Sequence, residues 1–137
     1  MTVLIIEESL LIGGRLRNLL LETGKANVVY QSVGHKKAAI LFDEYKPQVV
    51  LLDMCLQGSA PVTLLQKIKT AGTGTTVLAL VDCDDYQRQL KCTTISADYI
   101  LDKYHEFEKI PGIIDTIVRK RNLESTNEKP EHYSKLT

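Results

Sequence analysis

Six ionisable residues stand directly behind short apolar runs in this sequence. Glu7 and Glu8 follow residues 3–6, Asp53 follows 49–52, Asp82 follows 77–81, and Asp102 with Lys103 follows 99–101. One acid at the end of a strand is an ordinary helix cap. Several carboxylates gathered with a lysine are different, because crowded carboxylates repel and need a cation to stay ionised. Hard oxygen donors with room left for water suit Mg²⁺. Mg²⁺ beside an aspartate and a lysine is an arrangement for phosphoryl transfer. The metal and the ammonium neutralise charge on the equatorial oxygens while a carboxylate attacks in line. An aspartate nucleophile would give an acyl phosphate.

The elements that would carry these residues can be read from patterning. The runs at 3–6, 49–52, 77–81 and 99–101, with a weaker one at 28–30, do not alternate apolar with polar residues. Strands of that kind are covered on both faces, as in a parallel sheet between helices. Helical stripes lie between them: Ile12, Leu16, Leu19 and Leu20; Ala38, Leu41, Phe42 and Tyr45; Leu64, Leu65 and Ile68; and Ile110, Ile113, Ile114, Ile117 and Val118. A more polar helix is expected over 84–93, anchored on Tyr86 and Leu90 and opened by Asp84 and Asp85. Ser9 suits an N-cap, Gly24 a C′ position, and Lys46-Pro47 a helix stop. Strand and helix alternate five times, which implies an α/β fold with a parallel sheet and right-handed crossovers. In such sheets ligands gather outside the carboxyl ends of the strands, where the six residues stand. Residues 1–123 read as one domain and 124–137 as a polar, flexible tail.

Composition narrows the function classes. The 137 residues are 44% hydrophobic and 25% charged, a globular balance. Seventeen basic and 17 acidic side chains leave no net charge, which argues against a dedicated nucleic-acid binder. The cluster Arg119, Lys120 and Arg121 ends a helix, where cations suit the dipole. No run reaches the ~20 apolar residues of a membrane span, and no signal peptide opens the chain. Cys55, Cys83 and Cys92 show no metal-ligand spacing and suggest free thiols in a reducing cytoplasm. Gly13-Gly14 lacks the spacing of a nucleotide loop; it is expected inside the first helix, for close packing. No nucleophile-elbow motif supports a hydrolase triad on His35, His105 or His132.

Three stretches then carry a resemblance. Val3-Leu4-Ile5-Ile6-Glu7-Glu8-Ser9, the run from Lys46-Pro47 to Asp53, and the run from Ala97 to Asp102-Lys103 look like the landmark motifs of the receiver domains of two-component response regulators, in the same order. The resemblance covers about residues 2–122. It implies a flavodoxin-like, doubly wound, five-stranded parallel sheet of order 2-1-3-4-5. It implies Asp53 as phosphoacceptor, Lys103 as the residue that pairs with the phosphate, and Mg²⁺ held by Glu7, Glu8, Asp53 and the backbone carbonyl of Cys55. It also implies a sensor histidine kinase or phosphotransfer protein as donor. A downstream target protein would be reached by contact, without direct nucleic-acid or membrane binding, from a monomer or weak homodimer. On this reading the chain is a cytoplasmic signalling phosphoprotein and no enzyme beyond catalysing its own phosphorylation.

Several positions depart from the family pattern. Glu8 stands where most receivers have Asp. Val81 replaces the strand-four Thr or Ser, and Asp82 follows where a small residue is usual. Ile100 occupies the aromatic switch position, with Tyr99 beside it on the other face. Tyr104 replaces the proline after the lysine, so a trans peptide bond is expected there. Gln57 and Pro61 replace a proline and a glycine after the acceptor. These changes leave an acceptor with a degenerate switch, or a pseudo-receiver that serves as a phosphorylation-independent interaction module.

Overall fold

The structure, a computed structural model, describes residues 1–55, 59–82 and 97–136, with the backbone alone over 125–136. The fourth expected helix, at 84–93, lies outside the described residues, as do Gln57, Cys83 and Cys92. Five strands form the sheet: β1 (Thr2–Ile6), β2 (Val28–Ser32), β3 (Val49–Asp53), β4 (Thr76–Val81) and β5 (Tyr99–Asp102). Each exceeds its apolar run by at most two residues at either end. All pairings are parallel and the order is β2-β1-β3-β4-β5. Three helices follow the first three strands: α1 (Leu10–Glu22), α2 (His35–Tyr45) and α3 (Ala60–Thr70). A 3₁₀ turn at Phe107–Lys109 leads into α4 (Ile110–Leu136).

The period of two along each strand sorts its side chains into two cores. Val3 and Ile5, Val49 and Leu51, and Leu78 and Leu80 face Leu16 and Leu20 of α1 and Ile110, Ile114 and Ile117 of α4. Leu4 and Ile6, Val50 and Leu52, and Val77, Ala79 and Val81 face Ala38 and Phe42 of α2 and Leu64, Leu65 and Ile68 of α3. Both faces are covered, which is why the runs show no polar alternation.

Local signals act where the sequence placed them. The Ser9 hydroxyl accepts from the Ile12 N–H at 3.2 Å and caps α1. Gly24 follows the C-cap of α1 with φ +70°, and Lys46 ends α2 in the left-handed region at φ 44°. Gly13 bears out close packing of α1: a Cβ there would lie 2.4 Å from the Gln31 side-chain nitrogen, so the end of Gln31 would have to move. Gly14 has open space around it and needs no such account. No peptide bond among the described residues is cis, including that before Tyr104.

The last helix is long. The α4 backbone continues as helix through residues 124–136, the stretch read as a loose tail. Among the described residues the apolar stripe that packs α4 ends at Val118.

Candidate phosphoacceptor site

Backbone pairing brings the site together at the carboxyl edge of the sheet. Three bonds continue the ladders one residue past the strands. The Glu7 N–H donates to Ser32 O at 3.0 Å, the Met54 N–H to Leu80 O at 2.8 Å, and the Lys103 N–H to Val81 O at 2.7 Å. Strand parity decides which side chains meet. Glu7 extends the row of Val3 and Ile5, Asp53 the row of Val49 and Leu51, and Lys103 the row after Leu101, all on the α1/α4 side. Glu8 falls on the other parity and is exposed.

Glu7 and Asp53 are fully buried, and the Lys103 side chain is 7% exposed. Lys103 Nζ lies 2.8 Å from Glu7 Oε1 and 3.2 Å from Asp53 Oδ2. The other contacts are backbone donors. Glu7 Oε1 accepts the Ser9 N–H at 3.0 Å, and Asp53 Oδ1 accepts the Cys55 N–H at 2.9 Å. Glu7 Oε2 is buried with no hydrogen-bond partner among the described residues.

Burial pushes the Glu7 carboxyl above the ordinary carboxylate range; the nearby Asp53 charge adds to this, while Lys103 and the Ser9 N–H oppose it. Burial alone would lower the Lys103 ammonium, but the two carboxylates it touches hold it above an ordinary lysine. The Cys55 thiol is pushed up to about 11, chiefly by burial and then by the Asp53 charge. Lys103 is therefore a fixed cation between the two carboxyl groups, and Cys55 a protonated thiol at neutral pH.

The donor set fits a hard divalent ion. A buried carboxylate oxygen without a hydrogen-bond partner among the described residues, Glu7 Oε2, is one that a cation or its bound water would satisfy. Asp53 and the Cys55 carbonyl would be its neighbours, and Glu8 an exposed carboxylate next in the chain. Among the described residues no group of three His, Cys, Asp or Glu side chains is gathered closely enough to hold a metal by itself. Backbone carbonyl and water would have to complete the shell, as Mg²⁺ tolerates.

The remaining candidate positions line the edge. Val81 is buried in the α2/α3 core and Asp82 is half-buried. Ile100 is half-buried against the α2/α3 core, and Tyr99 against the opposite one, as expected. One contributor escaped sequence reasoning. The Asp102 carboxylate organises the turn after β5, accepting the Tyr104 N–H at 2.8 Å and lying 2.9 Å from His105 Nδ1. No spacing signal announces it, because it depends on how a turn folds back.

With this geometry the comparisons are specific. The response regulator receiver domain profile matches residues 3–115. The chain belongs to the receiver-domain family of response regulators. It is accordingly a receiver domain of two-component signalling, in a family whose members generally bind Mg²⁺ and interact with histidine kinases and downstream effectors. No curated protein shows significant similarity to it. Among solved structures, it resembles the signal receiver domain of a Luxo repressor protein from Vibrio parahaemolyticus, at 16% identity and TM-score 0.77, over 93% of this chain and 96% of that one. The signal receiver domain of a DNA-binding response regulator from Colwellia psychrerythraea 34H gives 21% identity and TM-score 0.78, over 87% and 98%. The chemotaxis protein CheY4 of Vibrio cholerae gives 14% and 0.72, over 85% and 97%. At these identities the likeness speaks for the receiver fold. Among the described residues no helix is long and apolar enough to cross a membrane.

Proposed function

We propose that this receiver accepts a phosphoryl group on Asp53 and passes the signal on by protein contact. The observation that carries the reading is the buried Glu7–Lys103–Asp53 group, with one ammonium within 3.2 Å of the acceptor carboxylate. An Asp53 oxygen attacks phosphorus, a new O–P bond forms, and the bond to the donor breaks with its electron pair leaving on the donor. From a phosphohistidine that pair stays on the imidazole nitrogen, so a histidine kinase or phosphotransfer protein fits as donor. Lys103 stands ready to exchange part of its contact with Asp53 for the arriving phosphoryl oxygens. Bound Mg²⁺ would supply a second positive centre for those oxygens, held by Glu7, Glu8, Asp53 and the Cys55 carbonyl. The chain's catalysis is limited to its own modification, and a cytoplasmic location matches that partner.

Intact-mass measurement after incubation with acetyl phosphate and Mg²⁺ tests this. One phosphoryl group per chain is expected; no gain for the folded parent overturns the reading. One observation favours the second reading, a pseudo-receiver. Val81 is buried and offers no hydroxyl where receivers usually place one. That module would bind its partner equally well before and after treatment with phosphodonor.

A further inference from the structure

Tyr104 stands directly after Lys103, where receivers usually carry proline. Its backbone N–H closes the turn on Asp102 Oδ1 at 2.8 Å, while the residue is 56% exposed. The Lys103 ammonium lies over the Tyr104 ring, 5.9 Å from its centre, and 3.2 Å from Asp53 Oδ2. One ammonium thus joins a buried acceptor carboxylate to an exposed aromatic ring. The same ring lines a cleft of about 480 Å³ between α1 and the turn after β5, together with Leu19 and Phe107. The Arg15 guanidinium lies 5.4 Å from the centre of the Phe107 ring, so this wall already holds a second cation on an aromatic face.

We propose that Tyr104 is a specificity-determining residue for the phosphodonor, its ring receiving the imidazolium ring of a phosphohistidine and favouring it over a donor without a ring. This rests on the phosphoacceptor reading above. In the transfer an Asp53 oxygen bonds to phosphorus, and the P–N bond breaks with its electron pair on the imidazole nitrogen. A proton on the ring's other nitrogen makes the departing group neutral imidazole. In-line transfer sets that nitrogen opposite the attacking oxygen. Asp53 is fully buried, so the leaving ring points outward, where Tyr104 is the exposed residue against the ammonium. As Lys103 turns towards the phosphoryl oxygens, the Tyr104 ring is left for the donor. A cationic ring on an aromatic face gains both charge attraction and ring contact. Acetyl phosphate has neither a ring nor a positive charge, so it leaves this contact unused.

The test is the rate of phosphoryl gain by the full chain with Mg²⁺, followed by intact mass, from phosphoimidazole and from acetyl phosphate in parallel. The quantity read is the ratio of the two rates, which a change in the fold or in Lys103 alone would not move. Tyr104→Leu keeps an apolar side chain and the backbone bond to Asp102 but loses the ring. The ratio should fall about two- to tenfold in that variant, the range of one aromatic contact, and stay at the parent's value in Tyr104→Phe. An equal ratio in Tyr104→Leu and the parent overturns the role of the ring and leaves the acceptor reading intact. A fall in Tyr104→Phe as large as that in Tyr104→Leu assigns the effect to the hydroxyl and also overturns the proposal. A parent that gains no phosphoryl group from either donor overturns the acceptor reading, and the role of Tyr104 with it.

Discussion

Lys103 is the residue on which the site balances, because it separates two fully buried carboxylates. Lys103→Met would leave Glu7 and Asp53 facing each other without a cation. Breaking a buried pair in this way costs about 3–5 kcal/mol, measurable by urea unfolding at neutral pH. The pH dependence has a definite sign. The folded pKa of Glu7 is raised, so its contribution is most favourable in acid and is lost as pH rises above the ordinary carboxylate value near 4.5. The penalty in Lys103→Met should therefore shrink as pH falls towards that value, and a penalty that grows in acid would contradict the account. Val81 makes a second prediction at this scale. A hydrogen bond to a charged group is worth about 1.5–3 kcal/mol, and a ligand shifts an equilibrium only by its differential affinity for the two states. Val81 offers no such bond, so beryllofluoride should perturb amide resonances little beyond the site. Val81→Thr should widen the perturbed region across Asp82, Tyr99 and Ile100; equal spectra from the two proteins would contradict this.

At the scale of elements, α1 begins where the site ends. Ser9 caps the helix through its hydroxyl, while its own N–H binds Glu7 Oε1. Ser9→Ala keeps the second bond and loses the first, so thermal or urea unfolding should show a loss of about 1 kcal/mol with phosphorylation retained. A loss of phosphorylation in a folded Ser9→Ala protein would mean the cap does more than hold the helix. The same region shows what could be read beforehand. The strands were legible because runs such as 49–52 lack polar alternation, and α1 was legible from its cap and its C′ glycine. The meeting of Glu7, Asp53 and Lys103 followed from their common place behind strands. The unequal roles of Glu7 and Glu8 did not, since that depends on the ladder continuing one residue past Ile6, which sets Glu7 in the row of Val3 and Ile5. The Asp102 turn was equally hidden, because it is made by the backbone folding back after a strand.

For the whole molecule, Val118 is the last residue packed on either core among the described side chains, and the family match ends at residue 115. Truncation after Leu123 should therefore leave the melting temperature within a few degrees of the full chain and preserve phosphorylation. A large drop in Tm would show that the helical extension supports the domain. The proposed site lies at the carboxyl edge of the sheet. Beside the ion group lies a cleft of about 480 Å³ between α1 and the turn after β5, lined in part by Arg15, Leu19, Tyr104 and Phe107. The proposed signalling turns on whether Asp53 carries the phosphoryl group. Borohydride reduction of the chain treated with acetyl phosphate and Mg²⁺ tests that claim most directly, because it converts an aspartyl phosphate to homoserine and fixes its position in a peptide map. The account predicts homoserine at position 53 alone, dependent on Mg²⁺ and lost in Asp53→Ala. An unmodified residue 53 after full treatment, or reduction at another acid in its place, would contradict it.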